Sequence, residues 1–257
     1  MNLLFLGDVV GEIGSEFVGE KLGGLKKFYN AEIVIVNGEN SANGNGITPH
    51  SAKYLFSRGA DIITTGNHCY RRREIYDTRE KEERLLRPAN FPEGNPGHGV
   101  CLYDMGKCTI AVINLMGTVY MEALDNPFAT VDRLLGEIDT PHIFVDFHAE
   151  ATSEKLALAY YLDGRVQALW GTHTHVPTAD CQILPGGTGF VTDLGMTGPV
   201  RSVLGIRPDQ SINIFRGGLP QPYKVAEGPY KLNAVLFTID TDTGKCTAVE
   251  RVDISEL

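Results

Sequence analysis

The chain has 257 residues, 42% hydrophobic and 21% charged, and 23 basic against 32 acidic side chains leave a formal net charge of −9. Such a length can bury one large core or two small ones, and the acidic balance gives no footprint for a long nucleic-acid backbone. Cys69, Cys101, Cys108, Cys181 and Cys246 form no CxxC pair, so they read as free thiols of a reducing compartment rather than a disulfide framework.

The first apolar run, "NLLFLG" at 2–7, has no basic stretch ahead of it and no small-residue cleavage site, and Asp8 cuts it short. It predicts a core strand and not a signal peptide. No run approaches the roughly 20 apolar residues of a membrane span, so no membrane partner and a cytoplasmic location are expected. An amphipathic helix is predicted over 14–29. A strand over 31–37 runs into "NGEN", which carries Glu39 and Asn40. "GNGIT" at 44–48 is a poor nucleotide fingerprint, because Pro49 stands where a final Gly should be. A second helix is predicted over 48–58, then a strand over 61–65 that leads into "GNH", with Asn67 and His68. The charged segment 71–88 predicts a solvated helix with mixed i,i+4 pairs; in the competing reading one of its early arginines reaches a phosphate. Further strands are predicted over 109–114, 142–147 and 166–170. His148 follows the second of these, and His173 and His175 follow the third. Between them, 152–162 opens with Thr152 and Lys155, a weak capping pattern, and predicts a helix. Strands over 188–192 and 232–239 complete the series. Residues 200–230, rich in Pro and Gly from 216 to 229, read as a loop covering the main body. Continuous apolar runs suggest strands covered on both faces, as in a layered α/β fold. With no repeat, low-complexity tract or linker, 1–257 reads as a single domain.

Metal-capable or proton-transferring side chains thus follow five of the predicted strands. In open α/β sheets ligands bind beyond the carboxyl ends of the strands, so Asp8, Glu39, Asn40, Asn67, His68, His148, His173 and His175 would converge. His173 and His175 could not share a centre on a helix, where residues two apart point about 200° apart. In an extended segment they would point to one side, towards one metal or two adjacent ones. Imidazole, carboxylate and amide oxygen suit Zn, Fe, Mn or Ni, and without thiolates a structural zinc finger is excluded. Blander readings stand beside these: Asp8 as an N-cap, Asn40 and "GNH" as turn formers, His148 as a satisfied core histidine. Asp146, Glu150 and Thr174 are candidates to support the ligands from behind. His50, His98 and His142 read as structural, and Cys69 as a small buried filler.

"GD" after the first strand, "GNH", a lone downstream His and "GTHTH" resemble the calcineurin-like metallophosphoesterases. More specifically, "LGDVVG", "VNGENSANGNGIT", "TTGNH", "RPANFP", "INLMG", "VDFHAEATSEK", "GTHTHVPT" and "TDLGMTGP" resemble the bacterial YmdB-like phosphodiesterases, from residue 6 to about residue 199. The superfamily usually opens with Asp-x-His and takes its bridging carboxylate from an Asp. Here Val10 cannot ligate and Glu39 stands in the bridging place, a change that the YmdB-like pattern shares. The resemblance implies a layered α/β/β/α sandwich. It also implies two metal ions, usually iron, with manganese possible. Asp8, Glu39, Asn40 and His175 would hold the first, and Glu39, Asn67, His148 and His173 the second. His68 is left unligated and facing substrate.

Two such ions can share a water and lower its pKa, and the hydroxide attacks phosphorus while His68 protonates the departing alcohol. The expected enzyme is a phosphodiesterase for small phosphodiesters. The family implies 2′,3′-cyclic nucleotides opened to 3′-nucleotides, and a homo-oligomer. Tyr120, Phe128 and Tyr223 are candidate base-stacking residues. Alternatives are a metal-dependent regulatory or binding protein with little turnover, a phosphatase for another small ester, or an amidohydrolase. The last usually places H-x-H after its first strand, whereas here the motif follows a late one.

Overall fold

The computed structural model describes residues 1–256. Strand β1 (Asn2–Leu6) is apolar on both faces. Leu3 and Phe5 enter one buried cluster, and Leu4 and Leu6 enter another. A strand with a period of two and two apolar faces needs a covering layer on each side. On one side lie α1 (Gly11–Phe28) and α2 (Pro49–Ser57), whose Phe17, Val18, Leu22 and Leu55 close over Leu4 and Leu6. On the other side lies a second sheet, and Phe5 meets Trp170 across the gap with ring centroids 3.9 Å apart.

The first sheet runs β2 (Asp8–Val9), β11 (Met196–Pro199), β12 (Tyr230–Ile239), β1, β3 (Ile33–Asn37) and β4 (Ile62–Thr64), with β13 (Cys246–Ser255) paired to β12. The second runs β5 (Val100–Asp104), β6 (Thr109–Met116), β7 (Ile143–His148), β8 (Ala168–Thr172), β10 (Gly189–Val191) and β9 (Gln182–Ile183). Its outer face is covered by α4 (Pro127–Glu137) and α5 (Thr152–Leu162), which contribute Val131, Leu134, Leu158 and Leu162. The order of layers is therefore α/β/β/α. Within the first sheet β1, β3 and β4 are parallel, and so are β6, β7, β8 and β10 within the second. Each set brings its carboxyl ends to a single edge.

At that edge the first strand divides. β1 pairs with β12, but β11 enters between β2 and β12. A β-carbon on Gly7 would lie 2.1 Å from the Gly195 carbonyl oxygen, so only glycine lets the two chains pass there. The "GD" pair owes its Gly to this crossing and delivers Asp8 beyond it.

Three expectations need correction. The segment 71–88 is not a solvated helix: it forms a 3-10 turn (Arg73–Ile75) and a short α3 (Tyr76–Lys81), then runs extended beside β4. Its mixed charges masked three apolar anchors, Ile75, Leu85 and Leu86, which are wholly buried together with Arg79. Arg72, one of the early arginines, donates to the carbonyls of Ala42 and Asn45 and clamps the loop after β3. Thr152 is not a cap; α5 begins on it, Ala151 is the N-cap residue and no side chain caps that end. Lys155 instead turns inward and pairs with Asp193 at 2.7 Å, both side chains being buried. Residues 200–230 are not simply a covering loop. They include α6 (Pro208–Phe215), on an excursion closed at its base by Arg207 N–H donating to the Lys224 carbonyl.

Candidate metal centre

The eight side chains singled out from the sequence meet at the shared edge of the two sheets. Asp8 opens β2 directly after β1 and Gly7, Glu39 and Asn40 follow β3, and Asn67 and His68 follow β4. From the second sheet come His148, the last residue of β7, and His173 and His175 just beyond β8. Gly66 explains the first letter of "GNH". A β-carbon there would fall 2.1 Å from the His148 ring, so the two sheets touch through a glycine and an imidazole.

Contacts divide into two groups that share Glu39. In one, His175 Nε2 lies 3.6 Å from Asp8 Oδ1 and 3.2 Å from Asn40 Nδ2, and Asn40 Nδ2 donates to Glu39 Oε1 at 3.2 Å. In the other, His148 Nε2 lies 3.2 Å from Glu39 Oε1, 3.0 Å from Asn67 Oδ1 and 3.1 Å from His173 Nδ1. His68 stands over both, with Nδ1 at 2.7 Å from Asn40 Oδ1 and its backbone N–H donated to Glu39 Oε2.

His148, His173 and His175 are each held by the ring nitrogen that faces away from the cluster. His148 Nδ1 donates to Thr172 Oγ1 at 2.9 Å, and that hydroxyl donates to Asp146 Oδ1 at 2.8 Å. His175 Nδ1 donates to the Leu204 carbonyl at 3.0 Å, and His173 Nε2 to Glu150 Oε2 at 3.1 Å. These partners select the tautomers that leave lone pairs on His148 Nε2, His175 Nε2 and His173 Nδ1, all turned into the cluster. Asp146 and Glu150 thus stand where support was expected. Thr174 supports through its backbone, donating N–H to Asp193 Oδ2 at 3.2 Å.

The H-x-H segment is not extended. His173 and His175 have φ of +103° and +62°, so both lie in a left-handed turn that L-residues rarely adopt. Asp8 Oδ2 accepts the His173 N–H at 3.2 Å and helps hold that turn. The rings still share a side, by strained turn geometry rather than by strand alternation.

Burial would raise the Asp8 carboxyl, but the His175 imidazole 3.6 Å away outweighs it and holds Asp8 far below the ordinary carboxylate range. Glu39 is likewise lowered, with the charge of His148 overcoming burial. Burial would lower His148, yet Glu39 lifts it to about 9. His173 is taken down to about 4 by burial and by the nearby charge of His148. The two carboxylates demand positive charge at their centre, which a proton on His148 or a cation supplies.

The residues fit a metal. Glu39, His148 and His173 each offer one ligand atom within 4.8 Å of the others. Asp8 Oδ1 is buried without a hydrogen-bond donor, and such an orphaned anion is costly unless a cation faces it. Oxygen and imidazole donors without thiolate suit a first-row metal such as Zn, Fe, Mn or Ni.

A cleft of about 290 Å³ opens above the cluster, lined by Glu39, His68 and His173 below and by Leu204, Ile206 and Tyr223 at one wall. Tyr120 is 90% exposed and does not line it, and Phe128 packs its ring on Tyr161 with centroids 5.3 Å apart. His50 lies apart in a cleft between α1 and α2, whereas His142 is buried at the start of β7. Cys69 is buried, and burial pushes its thiol up to about 12, which suits a filler and not a nucleophile. Leu204 is the residue that sequence reasoning missed. It acts through its backbone carbonyl, which no side-chain pattern reports.

An α/β/β/α sandwich with a carboxylate–histidine cluster at the carboxyl ends of its strands defines a metallophosphoesterase type of molecule. Residues 4–252 match the model of the YmdB-like proteins, and the chain belongs to that family. It is 47% identical over 258 residues to a Bacillus subtilis protein named 2′,3′-cyclic-nucleotide 2′-phosphodiesterase, covering 100% of this chain and 98% of that one. A crystal structure of a hypothetical protein from Thermus thermophilus superposes with a TM-score of 0.95 at 40% identity, covering 100% of both chains. A crystal structure of a phosphatase from Mycoplasma pneumoniae gives 0.95 at 37% identity, covering 99% of this chain and 93% of that one.

Proposed function

We propose that the chain is a metal-dependent phosphodiesterase that hydrolyses 2′,3′-cyclic nucleotides to 3′-nucleotides. The observation that carries this reading is the inward convergence of lone pairs from Glu39, Asn67, His148 and His173 beside the orphaned Asp8 oxygen. Full-length likeness to a relative named for that activity supports the substrate.

In this reading Asp8, Glu39, Asn40 and His175 hold one metal, and Glu39, Asn67, His148 and His173 hold the other. Bound there, metals supply Lewis-acid charge and lower the pKa of water. The protein supplies position. The cleft takes a small cyclic diester against the cluster. Water adds its oxygen to phosphorus and gives up one proton to solvent, the P–O2′ bond breaks, and the 2′ oxygen takes a proton from His68, which solvent restores. With Nδ1 given to Asn40, Nε2 is the His68 atom left for substrate. Burial lowers the His68 pKa against the pull of Glu39, so a proton it carries is readily passed on.

Iron is the metal we assign on the family resemblance, and the thiolate-free donor set is compatible with it. Among the described residues no helix is long and apolar enough to cross a membrane. We place the enzyme in the cytoplasm on its five free cysteines, and as a homo-oligomer on resemblance alone.

Incubating metal-loaded protein with 2′,3′-cyclic AMP should release 3′-AMP, and His173→Ala should abolish the release. A product of 2′-AMP, or none, would sink the proposal.

A further inference from the structure

The excursion over 207–224 leaves the body of the protein and returns to it at nearly the same point. Arg207 N–H donates to the Lys224 carbonyl at 3.1 Å, Lys224 N–H donates to Gln210 Oε1 at 2.8 Å, and Ile206 pairs with Val225 in an isolated bridge. Tyr223 therefore sits one residue from a clamped base and not at a free loop tip. Tyr223 is 58% exposed, and with Leu204 and Ile206 it lines the cleft that opens onto His68 and His173. Just before the excursion, the Leu204 carbonyl fixes the His175 ring. Packing at the base is close: β-carbons on Gly11 and Gly44 would lie 3.0 and 3.1 Å from the Val225 side chain.

Resting on the proposed function, we infer that Tyr223 is the platform on which the substrate's nucleobase lies while the cyclic phosphate meets the cluster. A nucleobase needs a flat, exposed, pre-positioned face, and stacking on an aromatic side chain tolerates any base because every base has a π-face. Of the three aromatic residues that the sequence offers for this task, only Tyr223 lines the cleft, where Leu204 and Ile206 extend the apolar wall around it. Polar contacts to a particular base edge are not needed. The device thus predicts preference by ring size, with purines favoured over pyrimidines, and not by hydrogen-bonding pattern.

The test compares 2′,3′-cyclic AMP with glycerol 1,2-cyclic phosphate, which carries the five-membered cyclic diester and no base. Tyr223→Ala should lower the ratio of kcat/KM for the nucleotide to that for the glycerol ester about tenfold, mainly through KM for the nucleotide. Tyr223→Phe, which keeps the ring, should restore the ratio, and Tyr120→Ala should leave it at the wild-type value. The loss in Tyr223→Ala should be smaller for 2′,3′-cyclic UMP than for the adenine substrate. If wild type turns over the nucleotide but the ratio does not move in Tyr223→Ala, or moves in Tyr120→Ala instead, the platform is overturned and the phosphodiesterase reading survives. If wild type hydrolyses neither ester, the phosphodiesterase reading falls and the platform with it.

Discussion

At the scale of single residues, the site is assembled by what is missing as much as by what is present. Gly66 lacks a β-carbon because the His148 ring occupies that space at 2.1 Å, and contact this close to a ring fixed by Thr172 and Asp146 cannot relax cheaply. Gly66→Ala should therefore push His148 Nε2 out of the cluster. Bound metal should fall by at least half and turnover with it, while far-UV circular dichroism stays that of wild type. Metal content unchanged on elemental analysis would show that the ring can move aside, and the geometry would lose its necessity. The eight converging side chains were legible in the sequence, because two carboxylates, two amides and four imidazoles at the ends of apolar runs have little packing reason to be there. Their orientation was not. Glu150 and Leu204 hold His173 and His175 through turns at positive φ, and an L-residue in that region carries no letter that announces it.

At the scale of elements, long apolar runs and amphipathic periods read true. The strands expected at 2–7, 31–37 and 142–147, and the helix at 152–162, stand within two residues of those bounds. β13 was not foreseen, because only Cys246 and Val252 of its ten residues are buried and charges are mixed among the rest. α4 was passed over, although Asn126 caps it by accepting the N–H groups of Phe128 and Ala129. The charged segment misled in the opposite direction, since i,i+4 pairing was inferred from composition while Arg79 and Leu85 were bound for the interior. Lys155 carries a similar lesson with energetic weight. It belongs to α5, yet its ammonium pairs with Asp193, which also accepts the Thr174 N–H between the two cluster histidines. Lys155→Met would leave a buried carboxylate without its cation, at a cost of about 3–5 kcal/mol. Adding Asp193→Leu should recover part of the stability in urea unfolding. It should not recover metal affinity, because the H-x-H turn then has no acceptor for Thr174. A loss under about 1 kcal/mol for Lys155→Met would mean that water reaches the pair and that it does not brace the turn.

At the scale of the whole molecule, two sheets that could be packed by hydrophobicity alone are also tied by ionisable groups across their shared edge, and metal, pH and folding become linked. Without metal, His148 has a folded pKa of about 9 against an ordinary value of 6.5. A histidine raised in this way stabilises the fold fully below about 6.5, and that contribution is lost as pH climbs through 9. His175 is raised and acts with the same sign. His173, at about 4, is neutral across this window, and Asp8 and Glu39, both lowered, stay ionised throughout it. Metal reverses the dependence, because a ligating imidazole must give up its proton and binding to the native state alone stabilises it. The stripped protein should therefore melt at lower temperature as pH rises from 6.5 to 9. Over the same range metal affinity should strengthen, by about tenfold per pH unit where one proton is displaced. The gap in Tm between loaded and stripped protein should widen steadily across that interval. Calorimetric scans of both forms at fixed ionic strength measure it directly. A gap that stays constant or narrows would mean that His148 carries no extra proton in the metal-free fold, and that the carboxylates are satisfied in some other way.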